Sequence, residues 1–129
     1  MYADVRLQHI GIVQLKQIRL SMNTPETFDF KFYEWEEKFR DKPFLKQPFG
    51  DEWEIYTWGE VGQYARKLAT GLRSLGLREN AHIGLISKNC REWIIADLAI
   101  VMAGYISVPF FPNLTSGEIN KLLTFGDVD

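Results

Sequence analysis

Residues 93–103 are apolar without a break except at Asp97. Asn89-Cys90-Arg91-Glu92 precedes the run as a box-like cap, with Asn89 as the capping residue, and Gly104 ends it. A helix that is apolar nearly all round has to be buried nearly all round. That demand excludes a lone surface helix and calls for a layered fold with protein on several sides. His82-Ile83-Gly84-Leu85-Ile86-Ser87, just upstream, is short and mostly apolar, and reads as a strand buried on both faces. Residues 105–111 give a second strand. Pro109 and Pro112 restrict its pairing, so it is short or sits beside a bend.

Two more helices carry their own start signals. Thr57-Trp58-Gly59-Glu60 is a capping box, in which the Thr hydroxyl accepts from an otherwise unpaired backbone N–H while Glu60 reaches back. Val61, Ala65, Leu68, Leu72 and Leu75 then recur at helical spacing, Gly76 supplies a left-handed stop, and Leu77 folds back onto the last turn. Gly59-x-x-Gly62 falls inside this helix start and carries no signal of its own. Arg66, Lys67 and Arg73 lie off the stripe and read as a solvated face. Thr115-Ser116-Gly117-Glu118 opens a further amphipathic helix through Ile119, Leu122 and Leu123. Upstream, Phe28, Phe32, Trp35 and Phe39 are spaced by three and four, an aromatic stripe that reads as core packing over residues 28–40. Residues 44–49 and 52–57 flank Gly50-Asp51 as a hairpin.

Helix, strand, helix, strand, helix from residue 58 onward predicts an α/β fold: a partial doubly wound parallel sheet with flanking helices, preceded by a small hairpin. Residues 1–22 form an amino-terminal arm or a gene-model extension ahead of a natural start at Met22. Residues 23–57 hold the aromatic helix and the hairpin, and residues 58–129 an α/β subdomain truncated at its carboxy end. So few strands are a narrow support for such hydrophobic helices, which points to a fragment or an obligate oligomer.

The chemistry expected of this chain is sparse. At 129 residues it is one domain at most, and its aromatic content of 14% suits a sizeable core. A net charge of −2 leaves no basic footprint for nucleic acid. The single cysteine excludes an internal disulfide and a multi-cysteine zinc site. With no apolar run of about 18 residues and an amino terminus too polar for a secretory signal, a soluble cytoplasmic domain is expected. Neither a G-x-G-x-x-G nor a G-x-x-x-x-G-K-[ST] phosphate loop occurs. Lys88 and Arg91 flank a helix amino terminus that either holds an anion or is simply a cap with solvated charges. Cys90 falls in a first helical turn, where the dipole and Arg91 would lower a thiol pKa, yet His9 and His82 are the only histidines and neither is near in sequence. It reads as a packing cysteine. His82 is expected at a sheet edge. Asp97 is either a buried functional carboxylate or a residue facing a solvent gap or bonding a neighbouring loop. Ser87 and Ser107 lack a nucleophile-elbow context. No catalytic, cofactor-binding or metal-binding residue is assigned.

A longer pattern is more telling. Tyr56-Thr57-Trp58-x-Glu60-Val61 leads to Ala65-x-x-Leu68-Ala69-x-Gly71-Leu72-x-x-Leu75-Gly76-Leu77, then to Ser87-x-Asn89-x-x-Glu92-Trp93. Ala103-Gly104, Val108-Pro109, Pro112-x-Leu114 and Glu118-Ile119 continue in order. This succession resembles the opening of adenylate-forming acyl-CoA synthetases of the AMP-binding superfamily, nearest the long-chain fatty-acid–CoA ligase branch. It departs at Glu79-Asn80-Ala81-His82, where the family usually has Gly-Asp before the strand; Asn tolerates the same left-handed turn. The resemblance implies the amino-terminal subdomain of the synthetase large domain, with no catalytic residue to carry over. It also implies ATP, Mg²⁺ and CoA for the parent enzyme, none of them bound by this chain, and a remainder of the ligase as partner, with peripheral membrane contact of that parent left open. The alternative is a free-standing α/β interaction or dimerisation module. Under either reading the isolated chain is expected to self-associate, through the faces of the helix over residues 89–103 or through an unpaired sheet edge.

Overall fold

The computed structural model describes residues 27–129. Residues 1–22, with His9, lie outside the described residues. The element order is helix α1 (Phe28–Phe39), strands β1 (Pro43–Phe49) and β2 (Glu52–Thr57), helix α2 (Trp58–Ser74), strand β3 (His82–Ile86), helix α3 (Arg91–Met102), strand β4 (Ile106–Phe110) and helix α4 (Ser116–Phe125). The α/β architecture expected from the sequence is present. β1 and β2 pair antiparallel around a turn whose Gly50 has φ +62°, and β3 and β4 pair parallel with His82 opposite Ile106 and Ile86 opposite Phe110.

The capping box at Thr57 forms as expected. The Glu60 N–H donates to the Thr57 hydroxyl at 3.2 Å, and the Glu60 carboxylate accepts from the Thr57 N–H at 2.8 Å. Gly76, at φ +68°, closes α2, and Asn80, at φ +55°, makes the expected left-handed turn. A second complete box joins Thr115 and Glu118 at the start of α4.

The buried face of α2 is narrower than its leucine stripe. Val61, Gly62, Ala65 and Ala69 are buried, whereas Leu68 is 41% and Leu75 65% exposed. Small side chains at these positions let α3 approach, and Leu98, Ala99 and Met102 fill the other side of one core cluster with Phe32. Trp58, at the head of α2, gathers the aromatics: its ring centroid lies 4.0 Å from Phe44, 5.5 Å from Phe32 and 5.9 Å from Trp35.

Gly59-x-x-Gly62, dismissed on sequence, is the seat for α1. Gly62 faces the Glu36 carboxylate so closely that a methyl group there would collide with it, and the Gly59 N–H donates to the Arg40 carbonyl at 2.9 Å. Glu36 is buried and is clamped by both terminal nitrogens of Arg66, at 2.6 and 2.8 Å. That hydrogen bond raises the Arg66 pKa further above its ordinary value. Arg73 donates to the carbonyls of Met102 and Ala103 at 2.7 and 3.2 Å, satisfying the open end of α3. The solvated-face expectation holds at Lys67 and Arg73, which are exposed, while Arg66 is half-buried; what it did not foresee is that both arginines are engaged by partners on other helices. Hydropathy sets these arginines outside the apolar stripe but does not reveal their hydrogen-bond partners.

Three further expectations are corrected. The capping residue of α3 is Cys90, not Asn89, and its side chain makes no cap bond. The Arg91 N–H is met instead by the Gln47 amide oxygen from β1, at 2.7 Å. Second, α3 buries Leu98, Ala99, Ile100 and Met102, while residues 93–97 and Val101 remain half-buried, because a two-stranded sheet is too narrow to cover the whole circumference. β3 is likewise half-buried rather than enclosed. Third, His82 is not at an edge of the described sheet: β3 lies between β4 and a parallel bridge from His82 to Val128.

Two substitutions test these contacts. Gly62→Ala is expected to cost about 1–3 kcal/mol by forcing the buried Glu36 carboxylate aside, read as a lowered denaturation midpoint at unchanged slope. Thr57→Ala is expected to cost about 0.5–2 kcal/mol, whereas Asn89→Ala, which removes no cap, should stay within about 0.5 kcal/mol of the parent chain; the reverse order would contradict the placement of the α3 start.

Candidate functional site

Arg91 is the residue on which most polar chemistry converges. Gln47 and Glu54 are register partners on the inner face of the hairpin, so alternation along β1 and β2 turns both toward the start of α3. Gln47 meets the Arg91 backbone as described. The Glu54 carboxylate accepts from the Arg91 guanidinium at 2.8 Å and from the Tyr56 hydroxyl at 2.5 Å, and the guanidinium carbon stands 4.6 Å over the Tyr56 ring. Arg91 Nε donates to Glu92 at 2.5 Å. The Glu92 hydrogen bond, and after it the charges of Glu92 and Glu54, push the Arg91 pKa up. In return Arg91 holds the Glu92 carboxyl below the usual carboxylate range.

Two open clefts flank this guanidinium. One, of about 430 Å³, runs between β1 and the α3 start, past Lys46, Gln47, Cys90 and Ile94. The other, of about 520 Å³, lies between α2 and α3, walled by Tyr64, Lys67, Leu68, Glu92 and Ile95.

Most of the residues considered on sequence are brought into no common site. Arg91 sits between the clefts with two carboxylates on its guanidinium, and Lys88 is exposed on the loop before α3. Cys90 is half-buried at the cap position rather than in the first turn, its Sγ 3.6 Å from the Ser87 hydroxyl. Strand β3 separates it from His82, so among the described residues no imidazole serves as its base. The His82 Nδ1–H donates to the Gly126 carbonyl at 2.6 Å, a role the acceptor dictates, and the His82 N–H donates to Asp129 at 2.8 Å. Arg78 binds the same Asp129 carboxylate at 2.7 Å and, ahead of the His82 N–H, holds it below its ordinary pKa. Asp97 is half-buried on α3. The Ser107 hydroxyl is buried and has no partner among the described residues.

The described residues do not fit a nucleotide with its metal. Glu60 and Glu118 place carboxylates over the amino termini of α2 and α4, and the first N–H of α3 is taken by Gln47, so a phosphate would meet negative charge or a satisfied donor. No cluster of three His, Cys, Asp or Glu side chains able to hold a metal is present among the described residues.

Sequence reasoning missed Gln47, Glu54 and Glu36. Glu36 lies four residues after Phe32, so the aromatic stripe itself pointed it inward. Gln47 and Glu54 could have been found from strand alternation, which sets them on the face shared with Leu45 and Tyr56.

Comparison with known proteins supports the resemblance. The chain is 29% identical over 107 residues to the long-chain-fatty-acid–CoA ligase heimdall of Drosophila melanogaster, covering 80% of this chain and 16% of that protein. It is 32% identical to the long-chain-fatty-acid–CoA ligase ACSBG2 of Rattus norvegicus, covering 68% of this chain and 13% of the relative. The chain thus spans about one sixth or less of these relatives' lengths. Among solved structures, NpsA of Klebsiella oxytoca in complex with 3-hydroxyanthranilyl-AMSN superposes with a TM-score of 0.74 at 20% identity, over 81% of this chain and 21% of that one, a likeness of fold. With the AMP-binding enzyme family matched across residues 32–129, which holds the aromatic helix from Phe32, the hairpin and every later element, this chain belongs to the AMP-binding enzymes.

Proposed function

We propose that this chain is the amino-terminal structural wall of a long-chain fatty-acid–CoA ligase and is itself catalytically silent. The parent reaction would join a fatty acid to CoA, with ATP and Mg²⁺, through an acyl-adenylate, releasing AMP and pyrophosphate. The observation that carries the silent role is the state of the helix amino termini: α2 and α4 close on carboxylates of their own chain, and α3 on an amide. Catalysis at such ends needs free N–H donors or a cation with spare charge. Arg66, Arg78 and Arg91 each turn donors toward carboxylates of this chain. The role left to these residues is to position strands and helices for a site built from other residues.

ATP, Mg²⁺ and CoA belong to that parent, whose remainder is the natural partner. The ligase branch rests on the names of the relatives above. No described helix is long and apolar enough to cross a membrane; the cytoplasmic location and a peripheral membrane contact of the parent remain part of the proposal, resting on the lone cysteine and the acyl substrate respectively. The half-covered α3 favours a second reading, an interaction module, only if no ligase continues the chain.

The transcript beyond the Asp129 codon decides between them. The ligase reading expects a Thr/Ser/Gly-rich phosphate loop downstream, and a stop codon directly after Asp129 would overturn it. For the isolated chain, no ATP–pyrophosphate exchange with palmitate and no saturable ATP titration are expected. Saturation in the low micromolar range would contradict the silent role.

A further inference from the structure

Strand β3 carries an unfinished ladder. In a parallel pair, successive residues turn their N–H and C=O alternately to one side and to the other. The Ile106 N–H donates to the Ala81 carbonyl at 2.9 Å, so Ile83 and Leu85 face β4 while His82, Gly84 and Ile86 face the opposite edge. The chain itself begins a third strand there. Past α4, Asp127 turns at φ +48°, Val128 bridges His82 in parallel, and the Asp129 N–H donates to the His82 carbonyl at 2.9 Å. The bridge stops at His82, and the outward N–H and C=O of Gly84 and Ile86 have no partner among the described residues. Gly84 keeps the edge close to its neighbours: a methyl group there would stand 3.3 Å from Val128 and from Phe110. The outer edge of β4 is different. By the same alternation Ser107 and Pro109 face outward on it, and Pro109 has no N–H to give. A strand approaching β4 would lose that bond, whereas β3 offers both of its donors.

A latch holds the entry to this edge. Arg78 Nε donates to the Asp129 carboxylate at 2.7 Å and a terminal nitrogen donates to Asp127 at 3.1 Å, while the second Asp129 oxygen accepts from the His82 N–H at 2.8 Å. One guanidinium thus fixes the residues on either side of Val128, and with them which residue stands opposite His82. We propose that the edge of β3 beyond His82 is the acceptor for the stretch of the parent polypeptide that runs on from Asp129, added as a parallel strand, and that Arg78 is the positioning residue that sets its register through Asp127 and Asp129. Direction names the occupant. Val128 and Asp129 already lie along the edge in parallel, so residues joined to Asp129 meet Gly84 next and Ile86 after it; a strand from another chain would meet that entry already taken. The inference deepens the scaffold reading and rests on it, since it names where the rest of the ligase joins this wall.

The chain extended after Asp129 by six residues of alternating Val and Thr supplies a generic strand, and amide exchange followed by NMR reads where that strand lies. The Gly84 and Ile86 amides should exchange at least about tenfold more slowly than in the unextended chain, with Ser107 unchanged. Proline at the second added residue, whose N–H is due at the Gly84 carbonyl, should remove the gain, whereas proline at the third, whose backbone N faces away from β3, should keep most of it. Arg78→Ala, at a half-exposed position, should return Gly84 and Ile86 to within about threefold of the unextended chain. Ile83 and Leu85, bonded to β4, should stay protected in that variant and show that the fold is intact. No slowing at Gly84 and Ile86 would overturn the proposal, as would slowing at Ser107 in their place, prolines of equal effect, or indifference to Arg78→Ala. Because the added strand is generic, none of these outcomes depends on the downstream coding sequence, which tests the scaffold reading by itself.

Discussion

The structure depends on the close approach of α2 and α3. Val61, Ala65 and Ala99 have no measurable exposure and Leu98 only 2%, so the contact is dry and formed largely by short side chains. Burying a residue such as Leu98 contributes about 1.5–3 kcal/mol, more per residue than any of the exposed ion pairs. Everything else is referred to this pair. Trp58 brings α1 and β1 onto one end of α2, Arg73 ties the other end of α2 to the last carbonyls of α3, and Gln47 ties the hairpin to the first N–H of α3.

Charge in this chain is arranged to hold elements together. Glu36 is buried because Arg66 reaches it and Gly62 leaves room for it; either alone would leave a carboxylate stranded in a low-dielectric site. Arg91 joins hairpin to helix by the same means, in a more exposed setting worth less energy but rich in geometry. The chain matches AMP-binding enzymes over residues 32–129, and within that span Arg66, Arg78 and Arg91 are each engaged by its own carboxylates.

Much of the fold was legible because local signals agreed with tertiary ones. Thr57 with Glu60, Thr115 with Glu118, Gly76 and Asn80 are short-range devices, read from a few adjacent residues, and all took the expected geometry. The start of α3 was misplaced for the opposite reason. Asn89 is a fine cap by type, but Gln47, far away in sequence, supplies the acceptor one residue later. Gly62 was unreadable because its purpose lies on α1, and the partners of Arg66 and Arg73 were unreadable because periodicity weighs hydropathy and cannot see a residue on another helix. The candidate site fared likewise: Arg91, with Lys88, read as either an anion holder or a solvated charge beside a cap, and neither reading included the Glu54 carboxylate that reaches it from β2. The family resemblance was readable because it sums many positions in order, each weak alone.

Native-state hydrogen exchange on the described elements tests the central claim most directly. If the α2–α3 contact is the core on which the hairpin, α1 and α4 depend, amides of residues 64–69 and 98–102 will exchange most slowly, at the free energy of global unfolding, while β1, β2 and α4 open earlier. Amides of the hairpin or of α4 outlasting those of α2 and α3 would contradict that account and place the core elsewhere.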